Sequence, residues 1–188
     1  MAIAASLKVT VRFLQAVLLV LSIGMPTYAQ FKSAERATTN VVNSSTLPRV
    51  YQRWLYEDVR WIITPEEQIA FLRVSSDEDR DRFIEGFWER RNPKPDRSEN
   101  EFKEEHYRRL AYANEHFAAG ISGWETDRGR VYIVNGAPDR IERLSPGGNR
   151  KPAEIWHYRD PSTGADRDFK FVDDCNCGKY WLDESSSR

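Results

Sequence analysis

Five side chains within a short stretch could do chemistry here: Trp124, Thr126, Asp127, Arg128 and Arg130. An arginine offers a planar fork of donors to a carboxylate or phosphate. An indole offers a stacking face and one N–H. Thr126 and Asp127 are short acceptors of the kind that cap turns. Asp127 is also the side chain placed to serve as a general acid or base, with either arginine as its partner. Three readings follow. The first is a buried, hydrogen-bonded corner that docks a helix onto a strand. The second is a recognition pocket for an anionic group. The third is catalysis by Asp127.

Cys175 and Cys177 form the next constellation. In an exported chain a local disulfide is the first expectation. Free thiols, or pairing with another chain, come second. A metal site comes third, because structural zinc takes four ligands and only Asp173, Asp174 and His157 are nearby types. The three histidines make no metal motif. His106 falls on an apolar helix face and reads as a core residue. His116 is turned from it by roughly 80°. His157 lies between Trp156 and Tyr158 and reads as structural. Adjacent carboxylates such as Glu104 and Glu105 are expected by chance among 29 acidic residues. Gly147 and Gly148 lack the lysine and hydroxyl of a phosphate loop.

These residues must be positioned by elements, and the chain changes character beside them. Before residue 120 the apolar side chains recur at helical spacing; after it they come in short runs. Thr64, Pro65 and Glu67 predict a capped helix start. Ser75 with Glu78, and Ser98 with Glu101, predict two more. The last of these begins the longest helix, with Phe102, His106, Leu110, Ala113 and Phe117 on one face. Gly120 and Gly123 are the glycines expected to end it in left-handed geometry. For residues 51–63 periodicity leaves helix and strand both open. Residues 130–134 are β-branched and aromatic and predict a strand, with Arg128, Arg130 and Tyr132 on one face. Further strands are expected over 140–144, 153–158, 169–172 and 180–182, separated by turns at Pro138, Pro146 and Pro161. Helices followed by strands predict an α+β domain, with the N-terminal helices packed on one face of a C-terminal antiparallel meander.

The run Gly123-Trp124-Glu125-Thr126-Asp127, followed by Arg128-Gly129-Arg130-Val131-Tyr132-Ile133 and Gly136-Ala137-Pro138-Asp139, resembles the signature of the GWxTD domain family of exported bacterial proteins. Trp61-Ile62-Ile63-Thr64-Pro65, Phe87-Trp88-Glu89-Arg90-Arg91-Asn92-Pro93 and Glu154-Ile155-Trp156-His157-Tyr158 extend the resemblance over most of the chain after about Tyr51. It implies an exported protein and brings no activity or ligand with it. The Cys175-Asn176-Cys177 segment stands outside the pattern.

Residues 1–29 read as a signal peptide: Lys8 and Arg12 precede an apolar stretch, and Thr27-Tyr28-Ala29 offers a cleavage site. The apolar stretch is short for a membrane span, which needs about 20 residues. Residues 30–48 read as a flexible tether, 49–184 as the folded domain and 185–188 as a tail. The 28 basic and 29 acidic side chains nearly cancel, which removes the electrostatic footprint of a nucleic-acid binder. The sequence therefore predicts an exported periplasmic or extracellular module, binding or structural, with its site over residues 123–130. Its expected partners are an envelope glycan, a peptide or another exported protein. No cofactor, no nucleic acid and no membrane span after cleavage are expected. The alternative is a hydrolase of an envelope polymer, with Asp127 as general acid or base.

Overall fold

The computed structural model describes residues 47–148, 150–160 and 162–183. The leader, the tail and the tether up to residue 46 lie outside the described residues. Leu47, read as the tether's end, is instead buried with the first aromatic core.

Helix α1 (Arg49–Arg53) runs into a π-helical turn (Trp54–Asp58). This resolves the ambiguity over 51–63 towards helix, with no strand at its end. Thr64 caps α2 (Pro65–Leu72) as expected, with Glu67 closing the box. Helix α3 (Asp77–Glu89) starts one residue later than predicted: Ser76, not Ser75, accepts the Asp79 N–H. Helix α4 (Glu101–His116) is capped by Asn100, not Ser98. Asn100 wins because its side chain has two uses. Its oxygen accepts the Lys103 N–H, and its amide donates to the Trp88 carbonyl at 2.8 Å, tying the end of α3 to the start of α4.

The main correction concerns the predicted strand at 130–134. It is helix α5 (Asp127–Asn135). Thr126 accepts the Gly129 N–H, Asp127 occupies the first turn and Gly136, at φ 84°, ends the helix. Those start and stop signals outweigh a β-branched composition, because strand propensity mostly reflects fit to a half-buried surface and tertiary packing overrides it. Arg128 and Arg130 therefore do not share a face; two residues along a helix turn by about 200°.

The sheet is the expected meander, with order β1-β2-β3-β4 and antiparallel throughout. Its strands are β1 (Arg140–Leu144), β2 (Ala153–Arg159), β3 (Asp166–Val172) and β4 (Trp181–Leu182). Alternation puts Trp156, Tyr158, Phe169 and Phe171 on the face that meets Leu110, Ala113 and Phe117 of α4's end and Val131 and Ile133 of α5. The domain is thus α+β, with helices on one face of the sheet. Among the described residues, α4 and α5 are the helices that provide that layer. Tyr51, Trp54, Leu55, Phe71, Phe87 and Trp88 form a separate core within α1–α3. Tyr107 of α4 packs against both cores.

Candidate functional site

The site grows from a close approach. Gly123 lies at the start of a 3-10 turn (Gly123–Glu125), and a Cβ there would sit 1.8 Å from the Ala113 carbonyl oxygen of α4. Gly123 does not take the left-handed geometry expected of it; of the two glycines, only Gly120 does, at φ 74°. Gly123 is required by space, not by backbone angle. Gly129 has the same function one step on, since a Cβ there would meet the Gly123 oxygen at 1.9 Å. Thr126 links the two, donating to the Gly123 carbonyl at 2.8 Å while accepting the Gly129 N–H at 3.0 Å.

Trp124 is held by its backbone. Its N–H donates to Asn114 Oδ1, and its carbonyl accepts the Trp61 indole N–H at 2.8 Å. The two tryptophans are joined on the surface by Arg60, whose guanidinium lies 5.1 Å from the Trp61 ring and 5.8 Å from the Trp124 ring. Asp127 has both oxygens engaged. Oδ1 pairs with Arg130 at 3.3 Å, and Oδ2 accepts the Leu182 N–H at 2.8 Å. The Asp183 N–H faces β3, where the Lys170 carbonyl accepts it, so the Leu182 N–H faces outwards and Asp127 closes the outer edge of β4.

Arg128 turns the other way. It reaches Glu154 of β2 at 3.5 Å, donates to the Gly178 carbonyl and lies 4.2 Å from the Tyr180 ring. Glu154 also accepts the Trp156 indole N–H at 3.0 Å. The five predicted residues are therefore neighbours in the fold but do not form one pocket. Arg128 serves the interior, while Trp124, Asp127 and Arg130 lie towards the surface.

A groove of about 320 Å³ opens beside Arg130. Its walls include Trp61, Val134 of α5, Arg167 and Phe169 of β3, and Leu182. The Arg130 guanidinium lies 5.7 Å from the Trp61 ring, and that of Arg167 lies 5.4 Å from the Phe169 ring. Sequence reasoning missed Trp61, Arg167 and Phe169 as groove residues, because they become neighbours only when β3 and the helical half meet. Glu154, the partner of Arg128, was not read as a site residue either, although it shares its strand face with Trp156 and Tyr158.

Cys175 and Cys177 are joined in a disulfide, the first expectation for the pair. Buried Asp173 anchors this loop by accepting the Cys177 and Gly178 N–H groups at 3.1 and 2.7 Å. Burial opposes the Asp173 charge, but those N–H groups hold its pKa below the ordinary value. Asp173, Cys175 and Cys177 have ligand-type atoms within 4.8 Å of one another. In the disulfide the two sulfurs are not thiolates, and the thiolate is the form that binds metal. His106 is the core residue it was read as. It is buried, its Nε2 donates to the Asp58 carbonyl at 2.6 Å, and burial lowers its pKa. His157 bonds Asp168 at 2.7 Å across the sheet face away from the helices.

Among the described residues no helix is long and apolar enough to cross a membrane. No curated protein and no solved structure matches the chain. The model of the GWxTD domain matches residues 27–186, which is most of the sequence, so the chain belongs to the GWxTD domain family.

Proposed function

We propose that this protein is an exported binding module of the cell envelope, and that its motif builds a groove for an acidic peptide segment of another exported protein. Export rests on the leader-like residues 1–29. The observation that carries the binding reading is the pair of guanidinium groups, Arg130 from α5 and Arg167 from β3, that line one groove together with aromatic and apolar side chains. Each guanidinium is held over its aromatic face by one intramolecular bond, Arg130 to Asp127 at 3.3 Å and Arg167 to Asn135 at 2.9 Å, and the remaining N–H donors of each are the ones proposed to meet a ligand carboxylate. Trp61, Val134 and Leu182 supply apolar surface for the residues beside that carboxylate. The motif itself supports this reading indirectly: Gly123, Thr126 and Asp127 position α5 against α4 and β4. The alternative, a hydrolase with Asp127 as acid or base, has weaker support because both Asp127 oxygens are already engaged.

A labelled peptide of alternating glutamate and leucine tests the proposal. Binding is expected to weaken about tenfold with Arg130→Met and with Arg167→Met, as for lost charge-assisted contacts. Arg140→Met, on β1 away from the groove, is the control and is expected to bind normally. Absence of binding, or equal binding by all the variants, overturns the reading.

A further inference from the structure

Cys175 and Cys177 lie on the loop between β3 and β4, and their disulfide spans a sequence separation of 2. A crosslink stabilises a fold mainly by restricting the unfolded chain, and the effect grows with the loop it closes. A bridge across one intervening residue, Asn176, therefore adds little to the fold. It joins no two elements either, because both cysteines belong to the same loop.

The loop is held by other means. Asp173 is 3% exposed and accepts the Cys177 and Gly178 N–H groups at 3.1 and 2.7 Å. Its own N–H donates to the Pro152 carbonyl at 2.9 Å. Asp174 pairs with Lys151 at 2.9 Å, and the Gly178 carbonyl accepts a guanidinium N–H of Arg128 at 3.3 Å. None of these bonds passes through a sulfur, so opening the S–S bond leaves the path of the loop in place. Both cysteines are exposed, and exposed bridges are the ones that exchange readily. Trp181, 46% exposed, follows the loop on β4, with the Lys179 ammonium 4.3 Å from its ring. An open loop beside an exposed indole suits a polypeptide thiol better than a small one.

We propose that Cys175 and Cys177 are a redox-active pair that passes its disulfide to a dithiol of another polypeptide chain. A thiolate of that chain attacks one of the two sulfurs. A mixed disulfide forms, the Cys175–Cys177 bond breaks, and the other cysteine leaves as a thiolate. The second thiolate of the substrate chain then attacks its own sulfur in the mixed disulfide. That step forms the substrate's disulfide and releases the remaining cysteine. Two electrons pass to this chain, and the two protons of the substrate's thiols end on Cys175 and Cys177. Asp173 holds the loop in either state. A low-molecular-weight disulfide restores the pair by the same exchange in reverse. The site shares no residue with the groove beside α5.

The test mixes the oxidised full chain with an equimolar reduced peptide carrying two cysteines, without oxygen and with a metal chelator. Thiols on both partners are counted by alkylation and mass spectrometry. One peptide disulfide is expected for each pair of thiols gained by the chain, formed about tenfold faster than with oxidised glutathione at the same concentration. The double variant Cys175→Ser, Cys177→Ser is expected to abolish the reaction. Its melting temperature, and that of the reduced wild-type chain, are expected to stay within a few degrees of the oxidised form. If the double variant does not fold, the reduced wild-type chain decides. Three results overturn the proposal: a peptide that stays reduced, oxidation no faster than by glutathione, or loss of the fold on reduction, which would make the bridge structural.

Discussion

Gly123 and Gly129 show what the family motif does at the scale of single residues. Each stands where a Cβ would collide with a backbone carbonyl, at 1.8 and 1.9 Å. A backbone oxygen cannot move aside as a flexible side chain can. Overpacking of this kind typically costs a few kcal/mol. Gly123→Ala is therefore expected to destabilise the domain by about 3 kcal/mol or more. Urea unfolding measures it, and a midpoint equal to wild type would contradict the close approach. Gly120 differs: its freedom is conformational, at φ 74°, and a Cβ there would have open space for 4 Å around it. Thr126 and Asp127 are polar for equally local reasons, one bridging two glycines and the other closing a strand edge.

At the scale of elements, caps and ion pairs decide where helices begin and how they hold together. Glu67 closes the capping box of α2 and also takes Arg90 and Arg91 from beyond α3. Arg91 is fixed in turn by the Phe87 and Ile62 carbonyls and lies 3.7 Å from the Phe87 ring centroid. Burial by itself would raise the Glu67 pKa, but Arg91, the Thr64 N–H and Arg90 hold it at about 2, against an ordinary 4.5. The folded value lies below the unfolded one. Its stabilisation is therefore present above about pH 4.5 and is lost as pH falls towards 2. Glu67→Gln is expected to cost about 2 kcal/mol at neutral pH. The gap to wild type should close between pH 4.5 and 2. Thermal unfolding across that range checks it, and a gap independent of pH would refute the linkage.

At the scale of the whole domain, two aromatic cores meet along α4. Tyr107 packs on both, His106 bonds the Asp58 carbonyl, and the Trp61 indole bonds the Trp124 carbonyl. These links, with the Asn100 amide on the Trp88 carbonyl, join the two cores. Tyr107→Ala is expected to loosen them: amides of α1–α3 should lose hydrogen-exchange protection before those of β2 and β3. Uniform loss of protection in that variant would show that the cores are joined elsewhere.

Much of this was legible in the sequence. Capping residues lie close to the helices they start, so the starts of α2, α3 and α4 could be read locally, to within one or two residues at Ser76 and Asn100, whereas periodicity leaves 51–63 open and the composition of 130–134 predicts a strand. Turn residues marked the meander, and residues 123–139 marked the junction. The tertiary structure decided the rest. Residues 131–134 are helical because Thr126 caps them and Gly129 lets them approach the Gly123 carbonyl, a condition that no strand propensity encodes. Arg128 and Arg130 part company for the same reason, one turned to Glu154 and one to the groove. Trp61 and Arg167 stand far apart in sequence and meet only when the layers pack. Periodicity reports which way a side chain faces along its own element; which element it then meets is a property of packing alone.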